Sequence, residues 1–395
     1  MMSRDWIAPQ VRQVPPSGIR KYFDLSGERA DTIRLGVGEP DFTVPEPVRE
    51  ACVRALNEGR TGYTANSGMA ELREALAGYL KESFGLGYEP ESEIMITVGS
   101  SEAVDLALRA CTVPGDEILI PAPGYVAYPS IAQFCGGNVV EVETMAAQGF
   151  KLTAAALAKR ITPRSKVLIV NFPGNPTGAI MTEEDWRPVA ELAIKHDLIV
   201  ISDEVYAELT YGRKHFSIAS LPGMKERTVV VSGFSKAFAM TGWRVGYVAC
   251  GNRDLMAGML KIHQYTAMCA PTLGQVAALA SLRHGLEAKE RMKETFDRRR
   301  RSFVQGLREL GLPCHEPRGA FYAFPSIVHT GLGSAEFAEL LLREAGVAAV
   351  PGHVFGAGGE GHIRFSYAAG TQSLYMALER MEPLMRRLGI GAGVI

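Results

Sequence analysis

The chain has 395 residues, 47% hydrophobic and 22% charged, with a formal net charge of −1. This is too long for one typical domain and suggests two, and the near-neutral charge argues against a general role on nucleic acid or anionic membranes. No apolar run approaches the roughly 18 residues that cross a bilayer, and Met1 to Pro16 lacks the apolar core of a signal peptide, so the expected location is the cytoplasm. The first residues, with Pro9, Pro15 and Pro16, read as an extended arm over 1–16. Helical periodicity follows at Ala51 to Asn57 and Leu72 to Leu80. Ile94 to Val98 reads as a buried strand leading into Gly99-Ser100-Ser101-Glu102 and a helix over Ala103 to Ala110. Three more strand-like runs follow. Val167 to Val170 leads into Asn171-Phe172-Pro173-Gly174-Asn175-Pro176-Thr177-Gly178, where a cis bond before Pro176 is one option; Leu198 to Ile201 leads into Ser202-Asp203-Glu204-Val205-Tyr206; and Val229 to Val231 leads into Ser232-Gly233-Phe234-Ser235-Lys236. Strands alternate with helices to about residue 250, and the pattern is then more helical, with short strands near Ala320 to Phe324 and Ile363 to Tyr367. Arg298 to Arg301 lies in a helical pattern from about Ala288 and reads as a solvated or ion-paired face. The six scattered cysteines read as buried thiols in a reducing compartment, and the eight histidines form no metal-ligand pattern.

In an open α/β sheet, ligands bind at the carboxyl ends of the strands, so the four segments converge on one crevice. Their residue types suit pyridoxal 5′-phosphate (PLP). Lys236 is an amine nucleophile at a strand end, where partial desolvation makes Schiff-base chemistry possible. Arg244, eight residues on, offers a planar fork of donors to a phosphate. Gly99-Ser100-Ser101 opens a helix, where free N–H groups and the positive dipole end attract an anion, although Ser101 is also what an ordinary N-cap looks like. Asp203 fits a carboxylate held against a pyridine nitrogen, or a helix cap. Tyr206 and Asn175 could reach the ring oxygen, and Tyr206 could equally be a packing tyrosine.

In order and spacing these segments resemble the class I/II aminotransferases of PLP fold type I. The resemblance runs from Leu35-Gly36-Val37-Gly38-Glu39-Pro40-Asp41-Phe42 to His362-Ile363-Arg364-Phe365-Ser366-Tyr367-Ala368, through Gly62-Tyr63-Thr64 and Asn175-Pro176-Thr177-Gly178. It implies an α/β fold in which a large domain, 48–285, holds a mainly parallel seven-stranded sheet between helices. A smaller α+β domain would be built from 17–47 and 286–395 and close on substrate. It implies Lys236 as Schiff-base lysine and proton carrier, Asp203 at the ring nitrogen, Tyr206 and Asn175 at the ring oxygen, and Tyr125 stacked on the ring. Ser100, Ser101, Ser235 and Arg244 would hold the phosphate, joined by Tyr63 from the neighbouring subunit of a homodimer. Gly38 and Arg364 would bind the substrate α-carboxylate.

The chain departs from that pattern at three places. Tyr125 stands where aspartate-specific members carry tryptophan, Ser101 where some relatives carry a lysine for an acidic side chain, and Gly233 where many carry a phosphate-binding serine, leaving Ser232 or Ser235 to compensate. Ser17-Gly18-Ile19-Arg20-Lys21, His263-Gln264-Tyr265, Gly319-Ala320-Phe321-Tyr322 and Phe324-Pro325-Ser326-Ile327 look like the N-acetyl-LL-diaminopimelate subgroup. The reading is therefore a ping-pong transfer from an L-amino acid to a 2-oxo acid such as 2-oxoglutarate. Ile19, Tyr125 and Tyr265 would shape a pocket for a long, aromatic or aliphatic side chain. The alternatives are a carbon–sulfur β-lyase using the same cage, and a non-catalytic PLP-binding regulator. The regulator would need a DNA-binding segment upstream, for which a match beginning by Ser17 leaves no room.

Overall fold

The computed structural model describes residues 6–19, 22 and 31–390. Arg20 and Lys21 of the Ser17-to-Lys21 segment, and Met1 to Asp5 of the arm, lie outside the described residues. A short strand β1 (Ile33–Arg34) is followed by the strands of the main sheet: β2 (Ile94–Thr97), β3 (Glu117–Ala122), β4 (Asn138–Glu143), β5 (Ser165–Asn171), β6 (Ile199–Asp203), β7 (Thr228–Gly233) and β8 (Gly246–Cys250). Four short strands end the series, β9 (Tyr322–Ala323), β10 (Val347–Ala348), β11 (Val350–Pro351) and β12 (Ile363–Ser366). The main sheet has seven strands in the order β2-β8-β7-β6-β5-β3-β4. All neighbours are parallel except at β8, which runs antiparallel to both β2 and β7.

The strands read as continuous apolar runs because both faces are covered. Alternate residues separate cleanly. Met95, Ile118, Ile120, Val167, Ile169, Ile201, Val229, Val231 and Val248 pack in one cluster with the helices Gly99–Cys111 and Arg253–Thr266. On the opposite face, Leu119, Leu168, Val170 and Val200 pack on the helix Glu183–Lys195. Ile94, Ile96, Val230, Tyr247 and Ala249 meet the helices Glu46–Asn57, Ala70–Phe84 and Thr272–His284. Each fully buried Val, Ile or Leu contributes roughly 1.5–3 kcal/mol. Exposed helix pairs such as Arg54–Glu50 and Arg291–Glu287 contribute about 0.3–0.5 kcal/mol each. Burial therefore decides the stability of the sheet.

The chain ends meet in a separate cluster, where β1 pairs with β10, and β12 lies between β11 and β9. The helices Leu286–Glu309 and Thr371–Arg387 cover it. The basic run proves only partly solvated. Arg299 and Arg300 are buried because each has a carboxylate partner, whereas Arg301 lies outside on Asp297. Arg299 holds both oxygens of Asp41 at 2.7 and 2.8 Å and lies against the rings of Phe42 and Phe296. It thereby ties the Gly38-to-Phe42 segment to the helix. The arm is not wholly extended either: Pro9–Gln13 forms one helical turn, with proline at the first position, where a missing N–H costs nothing. All six cysteines are free thiols, four of them buried. No helix among the described residues is long and apolar enough to cross a membrane.

Candidate active site

A cavity of about 700 Å³ lies at the carboxyl ends of the parallel strands. Its lining includes Ile19, Gly38, Ser100, Ser101, Tyr125, Asn175, Asp203, Tyr206, Ser235, Lys236, Arg244 and Arg364. Of the site residues expected from the sequence, Tyr63, Tyr265 and the alternative serine Ser232 lie outside this lining. Tyr63 and Tyr265 are 83% and 84% exposed on the surface of the chain. Tyr265 sits on the solvent side of the helix Arg253–Thr266 and so shapes no pocket within its own chain.

The end of the cavity where an anion is expected is built from backbone. Gly99 adopts φ +77°, a left-handed conformation open to glycine, and turns β2 into the helix Gly99–Cys111. No side chain caps this helix, so the hydroxyls of Ser100 and Ser101 are not spent on a cap. Arg244 lies directly over the turn: a Cβ on Gly99 would meet its Nη2 at 2.4 Å. Arg244 is itself left-handed, with φ 53°, and its Nη1 donates to the Thr241 carbonyl at 3.0 Å. The two serines differ in direction. Ser232 Oγ donates to the Glu204 carbonyl at 3.2 Å beneath the sheet end, whereas Ser235 lines the cavity.

No sequence pattern pointed to Gly246, on β8. A Cβ there would lie 2.5 Å from both Gly99 C and Ser100 N, two backbone atoms of the anion turn. Because backbone cannot give way as a side chain can, Gly246→Ala is expected to cost roughly 1–3 kcal/mol, as overpacking does. Chemical denaturation would measure it, and an unchanged midpoint would contradict the close packing.

Lys236 and Asp203 are perturbed in opposite senses. Burial pushes the Lys236 ammonium down to about 8; Glu39 opposes this, and Arg364 and Arg244 add to it. Its Nζ donates to the Gly38 carbonyl at 2.6 Å. Burial pushes the Asp203 carboxyl up to about 6, although Tyr128 Oη donates to its Oδ2 at 2.8 Å and Val205 N–H to its Oδ1 at 3.1 Å. Asp203 therefore caps no helix, and Tyr128 is a site residue that the sequence reading missed.

Arg364 is 2% exposed. Its Nη1 donates to Asn175 Oδ1 at 2.7 Å and its Nη2 to the Gly36 carbonyl at 2.6 Å, while its Nε has no partner among the described residues. The guanidinium lies between the rings of Tyr322, at 4.5 Å, and Phe355, at 5.0 Å. Tyr322 Oη is 2.9 Å from Tyr206 Oη, and burial raises both phenols, which stay protonated. Gly38 is glycine by contact: a Cβ would meet Tyr322 Oη at 2.2 Å. Asn171 Oδ1 accepts from Asn175 N–H at 3.0 Å, and its Nδ2 donates to the Asp203 carbonyl at 2.9 Å, joining two of the strand ends. The Asn175–Pro176 bond is cis. Tyr322 and Asn171 lay within segments already noted, but their roles depend on partners distant in sequence.

This chain and its fold have close counterparts. Residues 30–380 match the family model for aminotransferase class I and II. A Bacillus subtilis protein, YugH, named only as an aminotransferase, is 51% identical over 97% of this chain and 99% of its own length. The aspartate aminotransferase of Pyrococcus abyssi is 46% identical over 94% of this chain and 96% of its own. The crystal structure of an aromatic aminotransferase from Pyrococcus horikoshii OT3 matches with TM-score 0.89 and 45% identity, covering 93% of this chain and all of that one. Other relatives carry names for aromatic amino acids and N-acetyl-LL-diaminopimelate. With a family model spanning most of its length and relatives of this identity, the chain belongs to the class I and II aminotransferases.

Proposed function

We propose that the cavity holds PLP and that this aminotransferase moves an amino group from an L-amino acid to a 2-oxo acid, 2-oxoglutarate being the proposed acceptor. The observation that carries this reading is the meeting of Lys236, Asp203 and Arg244 in one cavity, with the lysine shifted down and the aspartate up. The donor set fits the cofactor. Ser100, Ser101, Ser235 and Arg244 would hold its phosphate, Asp203 its ring nitrogen, Tyr206 and Asn175 its ring oxygen, and Tyr125 would stack on the ring. When bound, PLP supplies a sink for the electrons released at the substrate α-carbon. Asp203, fixed by Tyr128, keeps a negative charge available for a protonated nitrogen. Lys236 takes and returns the proton at the substrate α-carbon, its lowered affinity for protons suiting it to both directions. Arg364 and Gly38 bind the α-carboxylate, the guanidinium oriented by Asn175, Gly36 and the two aromatic rings.

In this reading the active unit is a cytoplasmic homodimer. Its support is Tyr63, which stands exposed on its own chain, as a residue serving a neighbour's phosphate must. Tyr265 is exposed in the same way and would reach a donor side chain only across such an interface. The 48–285 and 17–47/286–395 domains would close over the donor, with Lys236 on one and Arg364 on the other. Among the cavity-lining residues the cationic side chains are Lys236, Arg244 and Arg364, each with a proposed role. Ile19, Tyr125 and Tyr322 add aliphatic and aromatic surface, which favours a long, aromatic or aliphatic donor, including N-acetyl-LL-diaminopimelate.

The test is visible absorption of the purified protein during titration with a panel of amino acids, no keto acid being present. A yellow band is expected, lost with particular donors and restored by 2-oxoglutarate. Absence of any band after PLP is added would overturn the reading. The lysine also sets a pH profile. Only the unprotonated amine attacks the cofactor aldehyde, so the rate of PLP capture by the apoprotein is expected to rise about tenfold per pH unit and level off near 8. For an ordinary lysine the rise would continue towards 10.5.

A further inference from the structure

Behind the anion turn lies a pair of ionisable side chains that line no part of the cavity. Glu102 follows the two serines on the helix Gly99–Cys111 and points backwards, its Oε2 accepting from Val98 N–H at 2.5 Å. Its Oε1 lies 2.9 Å from His263 Nδ1, which donates to it. His263 belongs to the helix Arg253–Thr266 and is fully buried, and its Nε2 has no partner among the described residues. A phenyl or aliphatic group would fill that space without leaving a buried ring nitrogen unpaired. The imidazole is therefore explained by its Nδ1 contact rather than by packing.

That contact bears on the entry to the cradle, where Thr97 Oγ1 donates to the Gly99 carbonyl at 3.0 Å and Glu102 holds the preceding N–H. The turn depends on the left-handed Gly99, and no side chain caps the helix. The carboxylate of Glu102 holds Val98 N–H from behind, and His263 fixes the carboxylate. The N–H groups and hydroxyls of Ser100 and Ser101, which would meet the phosphate, take their direction from this turn. Side chains that hold a binding group in position control its precision without touching the ligand.

We propose that Glu102 and His263 are positioning residues for the anion cradle, acting on the cofactor phosphate through the Val98–Gly99 turn. This rests on the PLP reading, so the experiment separates the two. The full-length apoprotein is titrated with PLP and with pyridoxal, which lacks the phosphate, for the wild type, Glu102→Met, His263→Phe and His263→Asn. Asparagine places an amide donor near the position of Nδ1. Glu102→Met and His263→Phe are expected to weaken PLP about tenfold, the loss of one charge-assisted hydrogen bond. Pyridoxal affinity should change less than about twofold, and His263→Asn should restore most of the loss. Circular dichroism of each variant checks its fold; if His263→Phe does not fold, Glu102→Met decides. Equal losses for PLP and pyridoxal, or no loss for either, would overturn the positioning role. A wild-type protein that binds neither would instead overturn the cofactor assignment.

Discussion

Lys236→Ala is expected to lower turnover by at least about ten-thousandfold, since on the proposed roles it removes both the amine nucleophile and the base that moves the proton. Binding of PLP is expected to persist, because Ser100, Ser101, Ser235 and Arg244 lie on other parts of the cavity wall. The loss would not reflect unfolding. Burial lowers the lysine from 10.5 to about 8, so below pH 8 the folded chain holds a penalised ammonium, and this penalty fades as the pH rises from 8 to 10.5. Alanine removes the penalty at pH 7 but also gives up the bond to Gly38 and leaves a small cavity. These effects oppose each other, so the Tm of the apoprotein should shift by less than about 4 °C. Steady-state turnover, PLP titration and thermal unfolding on one preparation would check all three. Retained turnover would sink the assignment of Lys236.

If Arg364 binds the donor carboxylate as proposed, Arg364→Lys is expected to lower kcat/KM for the amino-acid donor by roughly a hundred- to a thousandfold, the cost of disturbing a buried charge pair. The charge would survive and the geometry would not. The guanidinium meets Asn175 Oδ1 and the Gly36 carbonyl while lying between Tyr322 and Phe355, and a compact ammonium cannot reproduce that planar arrangement. The loss should appear mainly in KM. An amine without the α-carboxylate should react equally slowly with both proteins, and PLP affinity should not change. Weakened PLP binding with an unaltered KM would place Arg364 at the cofactor instead.

Part of the fold was legible because the four strands that lead into the crevice announce themselves locally, whereas β3, β4 and β8 were not singled out. Val229 to Val231 is apolar on both faces, since β7 lies inside the sheet, covered on either side. Lys236 and Asp203 could be picked out because a strand end dictates which residues face the crevice, whatever the rest of the chain does. The arm departed from its expected extension at one place for the same local reason in reverse: its prolines suggested extension, yet Pro9 begins a helical turn whose first N–H needs no partner.

The sequence by itself therefore determined the four strands that lead into one crevice and the residue types that could bind an anion, a pyridine nitrogen and a carboxylate. Only the tertiary structure decided partners. Tyr128 reaches Asp203 from 75 positions away, Arg364 reaches Asn175 across 189, and Arg299 is buried because Asp41, 258 positions distant, supplies its counter-charge. It also separated Ser235 from Ser232, placed Tyr63 and Tyr265 on the surface, and set Gly246 against the anion turn. The physical reason is that a strand end fixes local chemistry within a few residues. A hydrogen bond or a close contact depends on distances that exist only after distant segments have packed.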